Sequence, residues 1–378
     1  MKRDEILRWL REEDETRLNE LWQWADTVRK ETVGEEVHLR GLIEISNHCI
    51  RQCGYCGLRS AHKELERYRM SEEEIMACVG EAERYGYGTV VLQSGEDDGI
   101  ETKWFANILR RIKRETPLAI TLSLGERPDE DLEEWRKAGA DRYLLRFETS
   151  DIGLYHLIHP SLPQNKSDRI AILQTLKQLG YETGSGVMIG IPGQTYASLA
   201  DDIELFRRLD LDMIGVGPYL PHPQTPLGQG EWTWRIPEEE QVPNTEKMTY
   251  KVIALTRIVC PESNIPSTTA LATLNPEWGR ELGLIRGANV VMPNLTPIQY
   301  RLNYEIYPSK ACLKENPKDV DDSLKRHIPS LGRRIGEGRG DRIHRSEGKS
   351  SHPVTDHKLL DLIEKNKNYK FWGSKIPK

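Results

Sequence analysis

Residues 44–59 read EISNHCIRQCGYCGLR. Cys49, Cys53 and Cys56 stand there in a C-x3-C-x2-C spacing, directly after an apolar run from Leu39 to Ile45 that has the make-up of a buried strand. Three thiolates this close can hold three irons of a cubane. Iron–sulfur clusters ordinarily take four cysteine ligands, so three leave one iron open to a substrate or cofactor, as a catalytic zinc keeps one exchangeable position. A four-cysteine zinc site would need another thiol nearby, and the next cysteine, Cys78, falls in a helical pattern.

Outward from this stretch, apolar runs alternate with amphipathic segments. Strands are expected at 39–46, 89–94, 118–124, 142–148, 182–191, 213–220, 264–272 and 289–295. Helices are expected between them, at about 71–86, 102–115, 128–138, 168–179, 195–209, 244–260 and 277–286. Ser71 followed by Glu74 is a capping box, and Pro128 suits a first turn. Strands separated by helices point to the α/β class and a (β/α)8 barrel, with a six-stranded partial barrel as the alternative. Residues 1–36, with tryptophans and leucines at helical spacing, are expected to form two helices capping one end of the core. The barrel then takes 37–296, and 297–378 is a C-terminal extension. Within it, 325–353 is rich in Arg, Lys, Gly and Ser and reads as an exposed basic run, and LLDLIEKNKNYKFW suggests a last helix.

A chain of 378 residues can bury a large core, and a barrel of about 250 residues with extensions fits it. The net charge of −6 argues against nucleic acid as a partner. Neither a signal peptide nor a spanning run is evident. Six cysteines, three at metal-ligand spacing, suit a reducing cytoplasm better than a disulfide framework.

In such barrels the chemistry sits at the C-terminal ends of the strands. The cysteine loop follows the first strand, and Ser94-Gly95-Glu96-Asp97 follows the second. In the fourth, a period of two places Arg142, Leu144, Arg146 and Glu148 on one face and Tyr143, Leu145 and Phe147 on the other. Charges along one face would be costly in an apolar core. That face is therefore expected to look into the barrel and line a polar cavity.

The cysteine spacing, with Tyr55 before the last cysteine, resembles the radical S-adenosylmethionine (SAM) signature. CGYCGLR, ERYRMS, VVLQSGED, TLSLGE, AGADRYLLRFET, LGYETG, GIPGQT, GVGPYLPHPQTPL, IPSTTA and GANVVMPNLTP together resemble the blocks of the [FeFe]-hydrogenase maturase HydE family, in the same order, over residues 39–312. The resemblance implies a [4Fe-4S] cluster on Cys49, Cys53 and Cys56 whose open iron is chelated by SAM, and reductive cleavage of SAM to a 5′-deoxyadenosyl radical. It implies that Ser94, Gly95 and Glu96 meet the SAM amino group, that Glu148 contacts its ribose or amino end, that Arg169 pairs with its carboxylate, and that Tyr55 and Met213 lie along the adenine. Arg40, Thr121, Arg142, Arg146, Thr268, Thr269 and Tyr307 would line a cavity for a small anionic or iron–cysteinate substrate. Maturase partners and a reductant such as ferredoxin or flavodoxin would follow, with no nucleic acid or membrane partner.

Two departures stand out. The family's usual histidine after Arg146 is Phe147 here, on the face turned to the helices, so a packing change is expected. Cys312 matches the start of an auxiliary-cluster motif, but no thiol follows at Pro317 to Asp322, so a second cluster is not expected. The alternatives are a radical SAM enzyme with a small organic substrate, resembling biotin synthase or the lysine mutase of pyrrolysine synthesis, and a non-catalytic iron–sulfur carrier.

Overall fold

Strand β1, Glu36–Ser46, is the centre of the fold: its last eight residues are all buried, and it pairs in parallel with three other strands. The computed structural model describes residues 1–163, 167–311, 313 and 315–343. Cys312 and the stretch from 344 onward, including the suggested last helix, lie outside the described residues.

In chain order the elements are α1 Arg3–Arg11, α2 Glu15–Val33, β1, α3 Glu72–Arg84, β2 Thr89–Ser94, α4 Thr102–Glu115, β3 Ala119–Ser123, α5 Asp129–Lys137 and β4 Arg142–Leu144. Then come α6 Ile152–Ile158, α7 Arg169–Gln178, β5 Glu182–Ile189, α8 Tyr196–Arg208, β6 Met213–Pro218 and α9 Glu246–Val259. The last are α10 Thr269–Leu274, α11 Gly279–Leu284, β7 Val290–Val291, α12 Ile298–Arg301, α13 Pro317–Ser330 and β8 Arg334–Ile335. Local chemistry explains several starts. Ser71 Oγ accepts from Glu74 N while the Glu74 carboxylate accepts from Ser71 N, the expected capping box.

The sheet runs β6-β5-β4-β3-β2-β1-β7, all parallel. Residues 264–266 close it into a barrel: Asn264 bridges Met213 on one side and Pro266 bridges Val290 on the other. The expected seventh strand, 264–272, thus shrinks to two bridging residues, Asn264 and Pro266. Thr268 caps α10, its hydroxyl accepting from Leu271 N, and turns the apolar run into a helix. The fourth strand also stops early, at Leu144. Ser185 Oγ accepts from Phe147 N and donates to Leu145 O, substituting a side chain for ladder bonds. The chain rejoins at an isolated bridge between Glu148 and Val187, with Glu148 at φ 63°. A non-glycine residue in that region is uncommon and is held there by its surroundings.

Helices α1 and α2 pack on α8 and α9, on the flank of the barrel rather than over an end of it. Phe147 faces outward against Phe206 of α8, ring centroids 5.7 Å apart. Cys78 and Cys260 are buried small side chains.

The largest departure from expectation is at the N-terminal mouth of the barrel. Residues 333–342, part of the supposed exposed basic run, form its floor. β8 pairs with β1, and the Gly340 carbonyl accepts from Arg40 Nη2 at 2.9 Å and from Asn264 Nδ2 at 3.1 Å. Gly340, at φ 61°, lies so close to the His38 ring that a Cβ would sit 2.6 Å from it. The arginines there meet carboxylates from distant segments: Arg339 pairs with Asp141, and Arg342 with Asp210 and Asp212. Met1–Ile343 forms one compact unit, so the flanking helices and this part of the extension belong with the barrel.

Candidate functional site

The cysteine loop leaves β1 at its C-terminal end, where a barrel carries its chemistry. It is pinned from both sides. Ile50 N donates to Glu96 O, and Gly95 N donates to Ser46 O. A Cβ on Gly95 would stand 2.2 Å from His48 O, so only glycine admits this approach. Asp97 locks the turn, accepting from Ser46 Oγ and twice from Arg69 at 2.8 Å. Ser94-Gly95-Glu96 therefore serves first as a clamp on the loop.

Burial pushes the Cys49 and Cys53 thiols up and Cys56 up to about 12, with the Cys49 and Cys56 sulfurs adding to the rise at Cys53, and Cys49 to that at Cys56. Three buried thiols ionise together only beside concentrated positive charge. Among the described residues no group of Cys, His, Asp or Glu converges on a single metal ion. A cubane asks for something else, one thiolate on each of three irons. The donor set thus fits a [4Fe-4S] cluster.

Beside the loop lies a buried network. Arg51, inside the C-x3-C spacing, donates to Glu96 at 2.5 Å and to Glu126 at 2.8 Å. Glu126 also accepts from Arg169 Nε at 2.9 Å and Ser167 Oγ at 2.5 Å, and its own N–H donates to Glu96 Oε2 at 3.0 Å. Burial pushes the Glu126 pKa up, but His159, Arg169, Ser167 and Arg51 outweigh it and hold the carboxyl well below the usual range. His159 is fully buried, with Nδ1 3.0 Å from Cys53 Sγ. Burial, aided by Arg169, holds its pKa down to about 4.

Arg169 reaches onward, Nη1 donating to Arg146 O at 2.6 Å. Arg146 and Glu148, just beyond the end of β4, form an ion pair at 3.1 Å. Buried Arg146 Nε, Glu148 Oε2 and Thr121 Oγ1 make no hydrogen bond among the described residues. Such groups cost free energy unless a bound molecule meets them. Tyr55 packs with Met188, Ile191, Tyr219 and Leu227 in a separate apolar cluster.

The expected residues therefore fall into three places. Cys49, Cys53, Cys56, Tyr55, Ser94, Gly95, Glu96 and Arg169 gather at or beside the cysteine loop, joined through Arg169 to Arg146 and Glu148. Thr268 and Thr269 stand at the start of α10, where Thr268 Oγ1 is 3.1 Å from where a Gly217 Cβ would lie, and Tyr307 is half-buried in the turn after α12. Arg40, Arg142 and Met213 sit toward the floor. Met213 opens β6 and its sulfur accepts from Arg40 at 3.0 Å, so the methionine beside Tyr55 is Met188 instead. Arg142 is fully buried between Glu182, Thr89, Asp341 and the Arg339 carbonyl, its donors taken by the chain itself.

Arg51, Glu126, His159 and Met188 were not anticipated. Glu126 had a signal: VLQSGE and TLSLGE both end a strand in Gly-Glu, and both glutamates enter one network. A lone arginine between metal-binding cysteines was a weaker one.

The Radical SAM superfamily model matches residues 43–206. The [FeFe] hydrogenase maturase subunit HydE of Thermotoga maritima is 45% identical over 325 residues, 85% of this chain and 88% of that one. A 3-methylornithine synthase of Methanosarcina acetivorans is 28% identical over 328 residues, 85% of this chain and 87% of that one. The crystal structure of methylornithine synthase superposes with a TM-score of 0.73 at 25% identity, covering 90% of this chain and 94% of that one. With the cysteine loop at the mouth of a parallel barrel and this degree of identity, the chain is a radical SAM enzyme, of a superfamily that uses a [4Fe-4S] cluster and SAM, and it belongs to the HydE family.

Proposed function

We propose that the chain works as a HydE-type maturase on a small anionic, iron–cysteinate substrate in assembly of the [FeFe]-hydrogenase cluster. The observation that carries this is the 45% identity to a HydE maturase over nearly the whole of both chains. Cys49, Cys53 and Cys56 would hold the cluster. When bound, the cluster supplies the electron that splits the SAM sulfonium into methionine and a 5′-deoxyadenosyl radical. No side chain need act as acid or base; the chain's work is to bind, orient and exclude water.

Tyr55, with Met188 and Tyr219, offers an apolar bed for the adenine. Glu148 and the Arg146 edge are free to hydrogen-bond the ribose or amino end, and Arg169 to pair with the carboxylate by shifting from Glu126. Thr121, Thr268, Thr269 and Tyr307 are suited to hold the second substrate still deeper in the barrel. Arg40 and Arg142 act there through field rather than contact, given the floor segment on them. Other maturases, a low-potential ferredoxin or flavodoxin, and a cytoplasmic setting are part of this reading. Among the described residues no helix is long and apolar enough to cross a membrane.

The test uses anaerobically reconstituted protein. EPR of the reduced cluster should change when SAM is added, deoxyadenosine should form with dithionite, and a maturation mixture lacking HydE should regain hydrogenase activation. A cluster indifferent to SAM would leave only an iron–sulfur carrier. SAM cleavage without activation would turn the substrate toward a small organic molecule.

A further inference from the structure

We propose that His159 is a positioning residue that sets the reduction potential of the cluster by donating Nδ1–H to the Cys53 sulfur. The inference rests on the cluster assignment above. His159 closes α6, fully buried, with Nδ1 3.0 Å from Cys53 Sγ. Cys53 is the middle ligand and the most buried of the three.

The other ring nitrogen decides whether that contact can become a donor. Nε2 lies 3.2 Å from Arg169 Nη2, which can only donate, and 3.3 Å from Glu126 Oε1, which can only accept. Either neutral tautomer therefore has a partner. With Cys53 a thiol, S–H donates to Nδ1 and Nε2–H faces Glu126. With Cys53 a thiolate on iron, the proton sits on Nδ1 and points at sulfur, while the Nε2 lone pair accepts from Arg169. The ring changes roles without stranding a buried polar group, a cost that would otherwise oppose loading. Metal ligands are commonly tuned by such outer partners.

An N–H donated to a cluster thiolate favours the reduced, more negative state and raises the potential. Arg169 thereby links three functions. It holds the histidine tautomer, anchors Glu126 and reaches the Arg146 carbonyl beside Glu148.

The experiment is an EPR-monitored redox titration of the reconstituted full chain without SAM, comparing wild type with H159L, H159N and H159Q. Asparagine places an amide N–H near the position of Nδ1, glutamine near that of Nε2. H159L and H159Q should shift the oxidised-to-reduced ratio at a fixed potential about tenfold toward oxidised, equivalent to about −59 mV for one electron, and H159N should recover most of the shift. Four equal potentials would overturn the proposal, as would H159Q matching wild type while H159N does not. If H159L fails to fold, the asparagine–glutamine pair still decides. A wild type that takes up no cluster would instead sink the cluster assignment, a separate outcome.

Discussion

The two mouths of the barrel are both rich in arginine, yet they are built to opposite ends. At the N-terminal mouth most charges meet carboxylates of the chain: Arg142 meets Glu182 and Asp341, and Arg342 meets Asp210, Asp212 and Glu262, while Arg40 has the Gly340 carbonyl and the Met213 sulfur. At the C-terminal mouth Arg51 and Arg169 converge on one carboxylate, Glu126, while the inward edges of Arg146 and Glu148 remain without hydrogen bonds among the described residues. Charge on an inward strand face is therefore not itself a ligand site. What separates the two mouths is how much of the inward hydrogen-bonding capacity the protein's own groups take up.

Removing a cysteine should break the C-terminal mouth most completely. C53A should abolish the reduced-cluster EPR signal and deoxyadenosine formation, both falling to background, with the fold retained by circular dichroism. Glu126 comes next. E126A leaves two buried guanidinium groups short of their shared partner, and truncating one side of such a pair typically costs about 3–5 kcal/mol. Urea denaturation of the metal-free protein should register a loss at the lower end, since Glu96 still meets Arg51.

The floor should respond more mildly. Asp341 is nearly half exposed, and Arg142 keeps Glu182, so D341N should cost only about 1 kcal/mol, with SAM cleavage intact. Equal effects of E126A and D341N would erase the distinction between the two mouths.

An effect of another kind, on pH dependence, concerns Asp202 of α8, a buried carboxylate in no salt bridge among the described residues and held by Ser150 N and Gln194 Nε2. Burial raises its pKa to about 7. Between about pH 4, its ordinary value, and pH 7 the folded chain binds the extra proton, so this group's contribution is full at the acid end and declines as pH rises. D202N should flatten that decline in denaturation midpoints between pH 5 and 7.5. An unchanged slope would count against a protonated carboxyl there.

Much of the barrel was legible because its signals are local. Helices α3, α4, α5, α7, α8 and α9 lie within two residues of their expected bounds, and β2 matches exactly in extent. Misreadings occurred where an apolar run had two uses: 264–272 could extend as a strand until Thr268 capped a helix, and 142–148 could ladder until Ser185 took over two backbone bonds. Met213, expected along the adenine from the resemblance alone, opens β6 and so lies toward the floor, whereas Met188 is near the end of β5 in the cluster that Tyr55 packs on.

By itself the sequence determined the cysteine loop and the strand–helix alternation, since each is written within a few adjacent residues. Only the tertiary structure decided which charges are answered. Arg142 and Asp341 are 199 residues apart, and Glu126 joins groups from the cysteine loop, α6 and α7. Ion pairing acts through space at a few ångströms, and no local periodicity records which distant segment will supply the opposite charge.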